Sequence, residues 1–159
     1  MGNKEELLKN LEISFNEMKK ELEFKSSFEE LDEVFYFTDF ILQAGFVSPK
    51  LSRMLCGRIR DTFSLWISQL HAWLVPNPSS MIGISESQAF DDKEKKEITE
   101  IMKRFMAFTS GNVLIGLTKD KKKEAEYIDN SIALWNNNKN NLISYAKKVN
   151  DYWNNQLNH

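Results

Sequence analysis

The chain has 159 residues, of which 42% are hydrophobic and 28% charged, and its net charge at pH 7 is −2. This balance predicts one soluble globular domain over residues 1–159 and excludes a strongly basic nucleic-acid binder. One cysteine excludes an internal disulfide framework, and two histidines exclude a His-rich zinc site. Because only three prolines and six glycines occur, long helices are favoured over a turn-rich β-fold.

The start of the sequence shows no signal-peptide pattern. No apolar run approaches the roughly 20 residues that span a bilayer. The densest apolar stretch, residues 34–42, is interrupted by Thr38 and Asp39. We therefore expect a cytoplasmic protein with no membrane association.

The first predicted helix, over about residues 4–24, is amphipathic and acidic. Its apolar residues recur every three to four positions, as one helix face requires. They are Leu7, Leu11, Phe15, Met18 and Leu22. Residues 1–33 contain five Lys and ten Asp or Glu, a net charge of −5, which we interpret as a solvated helix face.

A second helix is predicted over about residues 28–44. Ser27 and Glu30 have the spacing of a capping box at its start, and Gly45 is suited to its end. The segment between them is apolar nearly all round. Such a helix is expected in the middle of a bundle or under a partner.

The third predicted helix begins at Ser48-Pro49 and runs to about Leu74. Three polar side chains fall inside its apolar arc, and an arginine there requires a partner. Together with two acidic candidates they form a predicted semi-buried polar network: Asp39, Arg58, Asp61, Thr62 and Gln69. We interpret this network as fixing the register of the helices; the alternative is a pocket for a small anion.

The opposite face of the third helix combines small residues with cationic or titratable ones. Small side chains allow a second backbone to approach, and arginine can bind a carboxylate or phosphate bidentately. The residues of this candidate interaction face are Arg53, Gly57, Arg60, Ser64, Ser68 and His71. The alternative is a solvated face whose small residues are incidental.

The next segment, residues 75–90, is predicted as a long loop because it contains Pro76, Pro78 and Gly83. It also carries apolar residues that a solvated loop does not need: Met81, Ile82, Ile84 and Phe90. We expect them to pack over the end of the bundle as a lid. The alternative is an exposed recognition patch.

A fourth helix is predicted to start at an Asp91–Glu94 capping box and to kink or end near residues 110–112. Thr118 is suited to cap a long last helix. That helix carries a predicted heptad seam at Ile128, Ile132, Trp135, Lys139, Leu142, Ala146, Val149 and Trp153. Asparagines within residues 136–141 disfavour helix, so either tertiary contacts keep this part helical or the helix breaks there.

These elements predict an all-α bundle of four to five antiparallel helices with a long C-terminal helix. No nucleotide-binding, metalloprotease or redox motif occurs, and Cys56 and His71 lie too far apart on one helix to form a dyad. We therefore predict no catalytic residue, no cofactor and no metal.

The function that we expect is a non-enzymatic protein–protein interaction module, with self-association as one form. It would use the candidate interaction face, the 76–90 loop or the heptad seam. One alternative is a nucleic-acid-associated helical protein that contacts phosphates through Arg53, Arg60, Lys119 and residues 121–123. A weaker alternative is an enzyme built around Asp39, Arg58 and Asp61.

Overall fold

A computed structural model describes residues 2–158, which form seven α-helices. The helices are α1 (Gly2–Leu22), α2 (Phe28–Phe35), α3 (Phe37–Ala44), α4 (Leu51–Leu74), α5 (Met81–Ser87), α6 (Asp92–Thr118) and α7 (Lys121–Leu157). The all-α class and the long C-terminal helix are confirmed. No helix in this part of the chain combines the length and the hydropathy that a bilayer span requires.

Helix α1 buries Leu11, Phe15 and Met18, as its apolar spacing predicts. The connection from α1 to α2 is fixed by Asp129 of α7. Its Oδ1 accepts hydrogen bonds from the amide and the hydroxyl of Ser26, at 2.8 and 2.7 Å. One carboxylate thereby satisfies several polar groups of a connection that has no secondary structure of its own.

The predicted helix over residues 28–44 is two helices, because Tyr36 adopts the left-handed conformation (φ 53°, ψ 47°). The Asp32 side chain fixes the break: its Oδ1 accepts the amide of Thr38 at 2.6 Å, in the first turn of α3. The Ser27–Glu30 capping box at the start of α2 is present, with both hydrogen bonds at 3.1 Å.

Helix α5 lies within the segment that the sequence suggested was a loop, and together with the break at Tyr36 it raises the number of helices to seven. Helix α6 starts at the predicted Asp91–Glu94 capping box. It does not end near residues 110–112, because Asn112 is buried and its side-chain oxygen accepts from Arg53 at 2.9 Å.

Helix α7 is capped by Asp120 and not by Thr118 as predicted. The Asp120 Oδ1 accepts the amide of Lys123 at 3.1 Å, whereas the Thr118 hydroxyl donates to a carbonyl of α6. The asparagine-rich part of α7 is helical throughout. Asn138 is 2% exposed and its Oδ1 accepts from Arg104 at 3.1 Å, so a tertiary contact offsets the poor helix propensity.

The buried stripe of α7 agrees with the predicted heptad seam in part: Ile132, Trp135, Val149 and Trp153 are half-buried. Ile128 and Leu142 are buried as predicted, but Lys139 and Ala146 are exposed. Ser131, Asn138 and Tyr145, each one residue before a predicted seam position, are buried.

The described chain divides into two compact units. The first unit comprises the residues up to Thr62 with Phe108–Trp135, and its core includes Phe15, Leu31, Phe35, Phe37, Ile41, Leu55, Ile59 and Ile128. The second unit comprises Phe63–Ala107 with the residues from Asn136 onward, and its core includes Phe63, Leu70, Trp73, Phe90, Ile98, Phe105, Leu142 and Tyr145. The single-domain organisation stays a prediction.

Candidate interaction surface

Helix α5 of the second unit begins at a capped turn. The Ser80 hydroxyl accepts the amide of Gly83 at 3.0 Å and so satisfies one of the free donors at the helix start. Gly83 lies on the inner side: a Cβ built on it would come within 3.2 Å of the Ser80 Oγ and 3.5 Å of the Pro76 Cβ. Because the preceding turn comes this close, position 83 is suited to glycine.

Glu86 anchors α5 from its inner side. One carboxylate oxygen accepts the indole N–H of Trp73 at 3.3 Å, and the other accepts the indole N–H of Trp153 at 2.8 Å. Both tryptophans thus bury apolar surface while their single donors are satisfied. The only charged side chain between residues 75 and 90 is consequently engaged within the unit.

Phe90 holds the other end of the segment. It is 5% exposed, and its ring centroid lies 5.2 Å from that of Trp73 and 5.8 Å from that of Tyr145. The Tyr145 hydroxyl donates to Glu97 at 3.2 Å, and burial, reinforced by this carboxylate, raises the pKa of Tyr145 to about 12. Helix α5 is therefore attached to its unit at both ends.

The outer face of α5 is apolar and solvent-exposed. Met81 is 78% exposed, Ile82 61% and Ile84 38%, and Val75 just before the turn is 63% exposed. At 100° per residue, Met81 lies nearly opposite Gly83, and Ile82 and Ile84 lie 100° from Gly83 on either side. We call these four residues the α5 surface. The expectation that Met81, Ile82 and Ile84 close down as a lid is wrong; only Phe90 packs inward.

The candidate interaction face of α4 is not a uniformly open surface. In the first unit, Arg53 donates to the Glu124 carboxylate at 2.9 Å and to the Asn112 side chain at 2.9 Å. The Glu124 side chain is only 9% exposed, so its charge requires this partner. Arg53 is therefore an internal structural residue and not a free clamp for a ligand.

The other members of that face differ in their surroundings. Gly57 is half-buried, with open space where a Cβ would lie, and Arg60 is exposed and pairs with its neighbour Asp61 at 2.7 Å. In the second unit, Ser64 is half-buried, whereas Ser68 and His71 are exposed.

The predicted polar network around Arg58 is not formed as expected. Its Nε donates to the backbone carbonyl of Phe35 at 2.7 Å, and its guanidinium lies 5.8 Å from the ring centroid of Phe40. Phe35 is the last residue of α2, so Arg58 donates to a carbonyl at the end of that helix. The Thr62 hydroxyl donates to the Arg58 carbonyl at 3.1 Å.

The remaining members of the predicted network lie elsewhere. Asp39 is exposed on α3, and Gln69 is exposed in the second unit. Asp61 pairs with Arg60 and not with Arg58. The spacing on α4 identified the correct arginine but could not identify its backbone partner.

A polar centre lies in the interior of the first unit. Cys56 is fully buried, and burial, with a smaller contribution from Glu124, raises the pKa of its thiol to about 12. The Tyr127 hydroxyl is buried without a hydrogen-bond partner among residues 2–158, and burial raises its pKa. A thiol held neutral in this way is a core residue. Within residues 2–158, no three His, Cys, Asp or Glu side chains are grouped so that they could hold a metal ion.

The cations of the nucleic-acid alternative are partly engaged by acids. Arg53 and Arg60 pair as described above, and the Lys121 ammonium pairs with Glu21. Lys119, Lys122 and Lys123 are exposed. The positively charged surface that the nucleic-acid alternative requires is therefore reduced to these three lysines.

Neither a protein-family model, nor a curated protein, nor a solved structure matches this chain.

Proposed function

We propose that this protein is a non-enzymatic protein–protein interaction module that self-associates through the α5 surface. The observation that carries the proposal is a helix that Glu86 fixes to its unit and that nevertheless exposes Met81 and Ile82. Large aliphatic side chains that are exposed next to one another on the surface are typical of an interaction site.

A second copy is the partner that the charge of this surface favours. Glu86 is the only charged residue between positions 75 and 90, and both of its carboxylate oxygens accept from indoles, so the α5 surface itself carries no charge. An uncharged apolar patch pairs with itself in a two-fold contact without like-charge repulsion. Its small area places the contact among weak associations, and we expect a Kd on the order of micromolar or weaker.

A non-enzymatic role is supported by where the cysteine and the two tyrosines with raised pKa values lie. Cys56 and Tyr127 are buried side by side with core residues of the first unit, and Tyr145 is buried beneath Phe90. Groups tuned for acid–base chemistry are instead expected in an open cleft.

Sedimentation velocity over a wide range of protein concentrations tests the proposal. We expect the sedimentation coefficient of the unmodified chain to rise with concentration, and Met81→Glu to abolish this rise. Leu117→Glu is the matched control, because Leu117 and Met81 are both 78% exposed. A chain that stays monomeric at all concentrations, or equal effects of the two substitutions, would contradict the proposal. Circular dichroism of both variants checks that their helices remain intact.

A further inference from the structure

A long cleft lies in the first unit between α1 and the start of α2, and it is independent of the α5 surface. Its volume is about 520 Å³. The α1 residues that line it extend from Leu8 to Lys19, eleven residues along the helix, or roughly 16 Å. Phe28 at the start of α2 and Thr38 at the start of α3 form the other wall. This elongated shape fits an extended or helical segment better than a compact small molecule.

The floor of the cleft is apolar. Leu11 and Phe15 are buried at its base, while Leu8 and Phe28 are half-buried and present part of their surface to the opening. The rings of Phe15 and Phe28 pack edge to face with centroids 5.0 Å apart. The floor therefore offers aromatic and aliphatic surface to an occupant with apolar side chains.

The rim of the cleft is acidic. Glu12 on α1 and Glu29 on α2 are exposed at its edges. The one cation that lines the cleft, Lys19, has its ammonium engaged by the carbonyls of Lys25 and Ser26, at 3.3 and 2.9 Å. Helix α2 adds two further exposed glutamates, Glu30 and Glu33, and carries no basic residue.

We infer that this cleft binds a basic amphipathic helix of a partner protein. Apolar side chains spaced by three and four residues would lie on Phe15 and Phe28, and flanking lysines or arginines would meet Glu12 and Glu29. The match between an acidic rim and a basic segment sets the sign of charge of the occupant.

Isothermal titration calorimetry with two designed peptides tests this inference. Both peptides have about 14 residues, or four helical turns, and leucines at the same positions; the remaining positions are lysine in one and glutamate in the other. We expect the Leu/Lys peptide to bind and the Leu/Glu peptide not to bind. Failure of the Leu/Lys peptide to bind would overturn the inference.

Substitutions on the rim and the floor distinguish binding in the cleft from a general attraction of basic peptides to an acidic protein. Glu12→Lys is expected to weaken binding about tenfold, whereas Glu17→Lys, on the opposite side of α1, makes the same charge change outside the cleft. Leu8→Gln is likewise expected to weaken binding, with Ile13→Gln as its control, since Ile13 is 48% exposed on α1 but does not line the cleft. Equal effects of a variant and its control would overturn the inference. The α5 surface is unchanged in all four variants, so their sedimentation behaviour reports separately on self-association.

Discussion

Both units have apolar cores, but they differ in one contact beside those cores. In the first unit, the buried Glu124 carboxylate forms an ion pair with the partly exposed Arg53, close to Cys56. In the second, Phe90 packs between Trp73 and Tyr145. An ion pair depends on directed bonds, whose loss strands a charge, whereas an aromatic cluster depends on area and shape, whose loss leaves a void. The two units should therefore fail under different substitutions and conditions.

The largest expected effect is in the second unit. Phe90→Ala removes a ring that is 5% exposed and leaves a cavity between Trp73 and Tyr145, so we expect the free energy of unfolding to fall by about 4 kcal/mol. Chemical denaturation measures it. Phe46→Ala is the control: Phe46 is 56% exposed in the first unit, and a loss of about 1 kcal/mol or less is expected. Similar losses for both variants would show that Phe90 is not a core residue.

The corresponding test in the first unit removes one partner of the Arg53–Glu124 ion pair. Arg53→Ala leaves the Glu124 carboxylate buried without its partner, and we expect a loss of about 2 kcal/mol, because Arg53 itself is partly exposed to solvent. Arg60→Ala deletes an arginine whose ion pair with Asp61 is exposed and should cost about 0.5 kcal/mol. A ratio near one between the two losses, measured by denaturation, would contradict the structural role of Arg53.

Alkaline pH should sharpen the contrast, because Cys56 is a titratable group inside the first unit. Its pKa is about 12 in the folded chain against 9.0 for an ordinary thiol. The neutral thiol makes its full contribution to the free energy of unfolding below pH 9.0. Between pH 9.0 and 12, the thiol ionises in the unfolded chain but not in the folded one, so this contribution is progressively lost. Over this range, the contribution of Cys56 to the free energy of unfolding falls by about 1.4 kcal/mol per pH unit. Cys56→Ala should flatten the decline of the unfolding free energy, and parallel curves for the two proteins would argue against a buried thiol.

The smallest effects concern the two capping boxes, one in each unit. Ser27→Ala should cost about 1 kcal/mol, because the amide of Glu30 loses its acceptor. In the second unit, the amide of Glu94 lowers the pKa of Asp91, so this cap is present above pH 3.8 and is lost as the pH falls through the lowered value. The Ser27 hydroxyl does not titrate. Denaturation at neutral and acidic pH should therefore show a stronger pH dependence for Asp91→Ala than for Ser27→Ala, relative to the unmodified chain.

Local signals in the sequence predicted local structure well. The capping boxes at Ser27 and Asp91 are formed by residues three positions apart, so both partners are visible in a short window. The amphipathic spacing of α1 is equally local. The break at Tyr36 was missed because no glycine marks it; the signal that was present is Asp32, whose side chain caps the next helix.

Local patterns in the sequence could not identify interaction partners that lie far apart in the chain. Arg53 was assigned to an open face because Glu124, its partner, lies 71 residues later in the chain. The sequence pattern pairs Arg58 with carboxylates, whereas in the structure it donates to the backbone carbonyl of Phe35, at the end of α2. The asparagine-rich part of α7 stays helical through Asn138 and Arg104, a contact that local propensity does not include.

The two units have a consequence for biosynthesis, because each is assembled from segments far apart in the chain. The first requires residues up to Trp135 and the second requires residues beyond Asn136, so both draw on α7. While a ribosome is still translating the preceding helices, Arg53 has no Glu124 and Phe90 has no Tyr145. The nascent chain therefore exposes core surface until α7 emerges, and a chaperone that shields apolar helices has its longest access during this interval.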